Sequence, residues 1–170
     1  MGRIMKSGFR LPAILLTVAL IAPPALAHHA FQAEFDGEAP VVLKGKINSV
    51  QWANPHTLIL MTVEEPGRAP ANWAVMAGTP NSMLRLGVCR ANLPVGAEVT
   101  VRAWRTRNHD CESARSSPNG TVWSVPAGTC KAGANSITFA DGKTARIGYG
   151  QVPGGSVPVD PNICDGGAAG

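Results

Sequence analysis

Strand-sized runs of residues, each ended by a turn signal and interrupted once by a helix start, limit the fold of this sequence more than any other feature. The run 41–52, VVLKGKINSVQW, alternates apolar and polar residues, and Gly45 within it indicates a bulge or a sharp bend. Two similar runs, 57–65 and 72–78, follow an Asn-Pro turn and a Pro-Gly turn. Nineteen glycines and fourteen prolines favour a β-rich domain with many turns over a helical bundle.

A helix start follows the third run. Thr79 has the residue type of an N-cap, Pro80 fits the first helical position, and Gly87 marks the end. The next segment, NLPVGAEVTVRAWRTR, predicts a turn and a fourth strand. Its apolar face contains Val99, Val101 and Ala103.

The segments TVWSV and SITFADGKTARIGY supply one or two more strands, and Asp141–Gly142 predicts a hairpin turn between the last two. Three strands, a helix and two or three further strands are the element order of a five-stranded OB barrel. We therefore predict a mainly β fold over residues 41–150, a small antiparallel OB-like barrel of five or six strands with one short helix between strands 3 and 4. An open β-sandwich is the alternative.

The first 27 residues have the architecture of a secretory signal peptide. The positive leader MGRIMKSGFR precedes the apolar run LPAILLTVALIAPPALA, in which Ala25 and Ala27 take the −3 and −1 positions of a cleavage site. The run is short for a bilayer span and contains prolines, which disfavours a transmembrane anchor. We expect cleavage after Ala27, a periplasmic or secreted protein, and no stable membrane anchor after cleavage.

The remaining chain divides into an N-terminal arm, 28–40, the barrel, and a tail, 151–170. The tail is rich in glycine and proline and has no hydrophobic periodicity, so we expect it to be flexible. An even number of cysteines in an exported protein predicts disulfide bonds, and four cysteines allow three pairings. A Cys111–Cys130 bond would enclose the loop 111–130, and Cys164 could tether the tail to Cys89.

The net charge of the chain argues against nucleic acid as a partner. The formal charge is +4, but Arg3, Lys6 and Arg10 belong to the signal segment, and without them 12 basic residues face 11 acidic ones. We expect instead an unidentified periplasmic protein, peptide or glycan, bound on the face of the barrel.

Histidines near the cleavage site are the candidate metal ligands. Cleavage after Ala27 would place the α-amine and Nδ1 of His28 in one chelate ring, and His56, in the turn NPH, is the candidate third nitrogen. Such nitrogen ligands favour copper(II) among divalent ions. In a rival geometry, the amine, the amide of residue 29 and the His29 imidazole bind copper without a folded scaffold. The alternative for all three histidines is a solvated or turn-stabilising role, and we do not expect the fourth, His109, to be a ligand.

Catalytic motifs are lacking in the sequence. No G-x-S-x-G nucleophile elbow surrounds Ser82 or Ser136, and no glycine loop resembles a phosphate cradle. We therefore predict no catalytic residue, no organic cofactor and a binding protein rather than an enzyme. A copper-dependent oxidoreductase that uses the same nitrogens is the third hypothesis.

Four stretches together resemble a family of small exported bacterial proteins of unknown function: HHAFQAEFD, LKGKINSVQWANPH, NWAVMAGTPNSMLRLG and LPVGAEVTVRAW. The shared motifs are a histidine pair near the mature start, a W-x-N-P-H turn and an N-W…G-x-P-N-x-L-x-R-x-G segment. The chain departs from the pattern in the cysteine-bounded segment 111–130, which resembles an insertion, and at Met76, where an acidic residue is expected. The resemblance supports the compartment and the fold and implies no activity.

Overall fold

The computed structural model describes residues 31–109, 111, 125–150 and 164. Within them a helical turn at 31–34 is followed by six strands and two short helices. The elements are β1 (Phe35–Gln51), β2 (Leu58–Val63), β3 (Ala71–Met76), α1 (Pro80–Arg85), a 3₁₀ helix (Arg90–Asn92), β4 (Glu98–Thr106), β5 (Cys130–Phe139) and β6 (Thr144–Arg146). The signal segment, His28, His29, most of the predicted TVWSV strand and the tail apart from Cys164 lie outside the described residues.

The described strands form one sheet that curls into a ring. Its antiparallel order is β3-β2-β1-β4-β5-β6, and β3 also pairs in parallel with β5, from Trp73 opposite Cys130 to Met76 opposite Gly133. This last pairing joins the two ends of a five-stranded row, and β6 extends β5 as a hairpin. The prediction of a mainly β, OB-like fold is confirmed, with helix α1 between β3 and β4.

Strand β1 is longer than the sequence predicted. It begins at Phe35 rather than at residue 41, because residues that the sequence assigned to the arm already pair with β4. Gly45 pairs with Val63 of β2 on one side and with Val99 of β4 on the other. The irregularity between β1 and β2 lies between Ile47 and Ser49, so the bulge is displaced from Gly45.

Gly45 is required by close backbone contact. A Cβ atom at this position would lie 2.0 Å from the carbonyl oxygen of Thr62. Glycine at position 45 therefore allows β1 to pair with β2 and β4 at the same point, where the backbone of β2 comes very close.

The barrel interior holds the larger of two apolar clusters. The alternation predicted for β1 and β4 is confirmed, since Leu43, Ile47, Val99, Val101 and Ala103 are all buried there. Helix α1 contributes the fully buried Met83 to the same cluster.

The predicted turns and caps are also present. The Thr79 hydroxyl accepts a hydrogen bond from the Ser82 N–H at 3.0 Å, as an N-cap does. At the β5–β6 turn, Gly142 has a φ of +84° and donates its N–H to the Phe139 carbonyl at 3.0 Å.

Cys111 and Cys130 form a disulfide bond. None of the helices in the described part of the chain has the length and apolar character that a membrane-spanning helix needs.

We expect Gly45→Ala to lower the free energy of unfolding by about 3 kcal/mol, because the added methyl group meets backbone atoms that cannot move aside. Gly37→Ala is the matched control, since no atom lies within 4 Å of the Cβ position there. Urea titration of both variants checks the prediction, and equal stability of the two would show that the close approach at Gly45 is not required.

Candidate functional site

His56 is held at one end of the barrel by backbone hydrogen bonds of its neighbour. It follows the cis Asn54–Pro55 peptide bond and precedes β2. The Thr57 N–H donates to the Gly78 carbonyl at 2.9 Å, and the Ala77 N–H donates to the Thr57 carbonyl at 2.8 Å. The turn is thereby joined to the chain that leaves β3, which fixes the position of the imidazole.

The hydroxyl group of Tyr149 meets this imidazole. Tyr149 Oη lies 2.9 Å from Nδ1 and 3.2 Å from Nε2 of His56. Strand β5 fixes the tyrosine backbone: its N–H donates to the Ala134 carbonyl at 2.8 Å, and its carbonyl accepts from Asn135 Nδ2 at 2.8 Å. The pair therefore joins two well-anchored segments that are 93 residues apart in the sequence.

Burial sets the protonation of both groups. It lowers the pKa of His56 below its ordinary value, while a hydrogen bond with the Ala77 backbone and the negative charge of Glu34 act in the opposite direction. Burial, with a smaller contribution from Glu34, raises the pKa of Tyr149 to about 12. At neutral pH the tyrosine hydroxyl thus keeps its proton and the imidazole is neutral, which is the protonation state that metal binding requires.

Aromatic residues of the arm pack beside Tyr149. The Phe31 ring lies 4.9 Å from the Tyr149 ring and 5.3 Å from that of Trp104, centroid to centroid. Phe35 is fully buried in this second apolar cluster, on the outer face of the sheet. Gly133 makes room for both phenylalanines, since a Cβ there would lie 2.8 Å from Phe35 and 3.0 Å from Phe31.

A buried ion pair ties the same arm to β5. Lys131 Nζ donates to Glu34 Oε1, and the two side chains are 1% and 12% exposed. The Arg107 N–H also donates to the Glu34 carbonyl at 3.0 Å. Separating two buried opposite charges costs free energy, because each would be left without a partner outside water. This contact therefore fixes the register of the arm on the barrel.

Among the sequence-predicted ligands, His56 lies within this site, and His28 and His29 lie outside the described residues. His109 is elsewhere, with its Nε2 at 3.2 Å from Asp36 Oδ2. Within the described residues, no group of three or more histidine, cysteine, aspartate or glutamate side chains is arranged to hold a metal ion. A metal held at His56 by such side chains would therefore need further ligands from outside the described residues.

Sequence reasoning did not find Glu34, Lys131 or the contact between Tyr149 and His56. Lys131 did carry a signal, because it is the one charged residue in β5. Tyr149 and His56 are brought together only by the ring closure of the sheet, which leaves no local trace.

A second surface lies along β1, β2 and β3. Asn48 Nδ2 donates to Thr62 Oγ1 at 2.8 Å, and Thr62 Oγ1 donates to Asn72 Oδ1 at 3.3 Å, so polar side chains form a row across three strands. An open groove beside this row is lined by Leu60 and Trp73. Trp73 itself is mostly buried, as is Trp104, which agrees better with a core role than with an aromatic binding platform.

A family of unknown function, DUF6152, matches residues 15–115. The chain belongs to this family. No curated protein and no solved structure matches it. The DUF6152 match includes Glu34 and His56 but ends before Lys131 and Tyr149, so the site combines residues from inside and outside the matched region.

We expect Glu34→Gln to lower the free energy of unfolding by about 3 kcal/mol, because it removes the carboxylate from a buried ammonium group. The double variant Glu34→Gln/Lys131→Met should recover most of that loss, since no charge then remains buried. Urea titrations of the wild type and these variants check the prediction. A double variant as unstable as the single one would mean that the charge of Lys131 is not what makes Glu34 necessary.

The depressed pKa of His56 predicts a pH-dependent stability. The unfolded chain binds a proton on His56 below pH 6.5, where the folded chain resists protonation, so this contribution is complete above pH 6.5 and is lost as the pH falls. Between pH 7.5 and 5.5, we expect the wild type to lose more stability than His56→Gln. Urea midpoints at both pH values measure the difference. Equal slopes would contradict it, and between pH 7.5 and 8.5 the two proteins should change in parallel.

Proposed function

We propose that this DUF6152 protein is an exported β-barrel binding protein that holds a copper ion between its mature N-terminal His28 and His56. The proposal includes removal of residues 1–27 and a periplasmic or secreted location. The observation that carries it is the docking of the arm beside His56, because Phe31 packs on the same tyrosine whose hydroxyl contacts the imidazole.

Chain length permits the contact. Three residues of chain extend over about 11 Å at most, so His28 begins within that distance of Phe31. The ring of Phe31 lies 4.9 Å, and that of His56 lies 5.8 Å, from the ring of Tyr149. The three residues from His28 to Phe31 are thus a long enough piece of chain for the amine and imidazole of His28 to reach His56.

Copper suits the ligands that would meet there. The α-amine and Nδ1 of His28 form a chelate ring, and the neutral imidazole of His56 adds a third nitrogen. The Tyr149 hydroxyl faces both nitrogens of His56, so copper must displace that hydrogen bond. The chelate ring has to offset this cost, and for that reason the free amine of His28 is indispensable to the proposal.

We expect the mature chain beginning at His28 to bind copper(II) with nanomolar or tighter affinity in competition with a chelator. His56→Ala should weaken binding at least about 100-fold, because it removes one of three ligands. Phe31→Ala should weaken it less, by loosening the arm. Electron paramagnetic resonance of each sample reports whether the nitrogen ligand set has changed.

Three controls separate this site from unspecific binding. His109→Ala removes a histidine that pairs with Asp36 and should leave the affinity unchanged. His29→Ala should also bind normally, and a strong loss there would favour the rival site made by the amine, the amide and the imidazole of His29. A Gly-Ser-Gly extension before His28 separates the amine from its imidazole and should abolish tight binding. Tight binding that survives both this extension and His56→Ala would overturn the proposal.

A metal-free interaction module is the alternative, and the polar row across β1–β3 favours it. OB folds bind ligands on the face of strands 2 and 3 and on the adjoining loops. Asn48, Thr62 and Asn72 offer amide and hydroxyl groups there, which suit the backbone of a peptide or the hydroxyl groups of a glycan. A chain that folds normally but fails to bind copper would make this groove the candidate binding site.

A copper-dependent oxidoreductase is a third hypothesis, favoured by the contact between Tyr149 and His56. It differs from copper carriage in one measurable property, the reaction of the reduced copper protein with oxygen or peroxide. Slow, tyrosine-independent reoxidation would exclude it.

A further inference from the structure

The cysteines at positions 89 and 164 lie around one side-chain oxygen atom. The Cys89 thiol donates to Asn92 Oδ1 at 2.6 Å, and the Cys164 thiol donates to the same oxygen at 3.3 Å. The two sulfur atoms are therefore no farther apart than the sum of these distances, although 75 residues separate them in the sequence.

We propose that Cys89 and Cys164 form a second disulfide bond, which fixes the tail to the segment that follows helix α1. In this bond the two sulfur atoms leave their shared oxygen and lie about 2.05 Å apart. Asn92 remains anchored afterwards, since its Oδ1 also accepts the Cys89 N–H at 3.0 Å.

The position of Cys164 shows which segment of the chain the disulfide bond would anchor. Its thiol also donates to the Gly87 carbonyl at 2.7 Å, where Gly87 takes a φ of +80° just after α1. At the other end of the same tail, Asn135 Nδ2 donates to the Gly150 carbonyl at 3.0 Å, directly after Tyr149. The bond would thus anchor both ends of the chain that runs from the candidate site to the end of the helix.

The chemistry is a thiol–disulfide exchange with a protein disulfide of an oxidoreductase in an oxidising compartment. One cysteine thiolate attacks that disulfide, forms a mixed disulfide and releases one partner thiolate. The second cysteine thiolate attacks the cysteine sulfur of the mixed disulfide and releases the other partner thiolate. Two cysteine thiols lose two electrons and two protons, and the partner disulfide becomes two thiols. The proposal rests on the exported location proposed above, but not on copper binding.

The test is a peptide map of the mature full-length chain under non-reducing conditions, after equilibration with a mixture of reduced and oxidised glutathione. Trypsin places the four cysteines in four different peptides, 86–90, 108–115, 116–131 and 147–170. We expect 86–90 linked to 147–170, 108–115 linked to 116–131, and no reactive thiol. Two alkylatable thiols at Cys89 and Cys164, or any other pairing, would overturn the proposal.

A second measurement separates the bond from the location. Cys164→Ser should lower Tm by more than about 5 °C relative to the oxidised wild type, because a long closed loop is opened, and the difference should vanish when both proteins are reduced. A difference that persists under reduction would mean that the thiol contact, not a disulfide, holds the tail. If the bond forms in glutathione but the protein is absent from the exported fraction, the location fails and the pairing stands. Copper binding should be the same in the double variant Cys89→Ser/Cys164→Ser, which has no unpaired thiol at these positions, so each proposal can fail alone.

Discussion

The ion pair between Lys131 and Glu34 couples the barrel to the arm that precedes it. Lys131 lies in β5, on the outer face of the sheet, where its ammonium group is almost completely removed from water. Glu34 supplies an opposite charge from the arm, which offsets the cost of removing the ammonium group from water. A buried pair of this kind adds little net stability but penalises every arrangement that separates the charges. The arm is therefore held in one register, and the contacts of Phe31 and Phe35 follow from it.

The covered outer face explains why a barrel this small has two apolar clusters. In an ordinary antiparallel strand the outward residues meet water, and Trp104 in β4 would be exposed between Arg102 and Thr106. The arm instead closes over Trp104 and Tyr149, with Gly133 providing the space for its aromatic rings. The arm also packs on Tyr149 through the Phe31 ring. Part of the burial that raises the pKa of Tyr149 thus depends on a residue that precedes the barrel.

The sequence predicted the barrel because its evidence is local. A few neighbouring residues are enough to indicate a strand from a period-two run, a helix start from Thr79–Pro80 and a hairpin turn from Asp141–Gly142. Together these elements are compatible with few topologies. The sequence indicates that Gly45 interrupts the strand pattern. The close approach of Thr62, which requires a glycine there, involves another strand and has no local sequence signal. The ion pair of the site could not be predicted for the same reason. Glu34 and Lys131 are 97 residues apart and become partners only when β4 and β5 are in place.

The disulfide between Cys111 and Cys130 connects the two parts from which the site is built. Cys111 lies near the end of the region that matches DUF6152, and Cys130 is the first residue of β5, next to Lys131. The bond thus fixes the start of the strand that carries Lys131 and, farther along the chain, Asn135, the anchor of the Tyr149 backbone. Strand β5, which lies outside the family match, is thereby linked covalently to the matched region.

Charge sets the condition that copper must meet at His56. Burial opposes a positive charge on the imidazole, Lys131 opposes it as well, and Glu34 favours it. A copper ion bound to the same nitrogen meets the same three influences, with a larger charge. In the proposed site, His56 would therefore depend on the chelating amine and imidazole of His28 to hold copper. The affinity of a folded site should then depend on His28 and His56 together, with each single loss costing nearly as much as the loss of both.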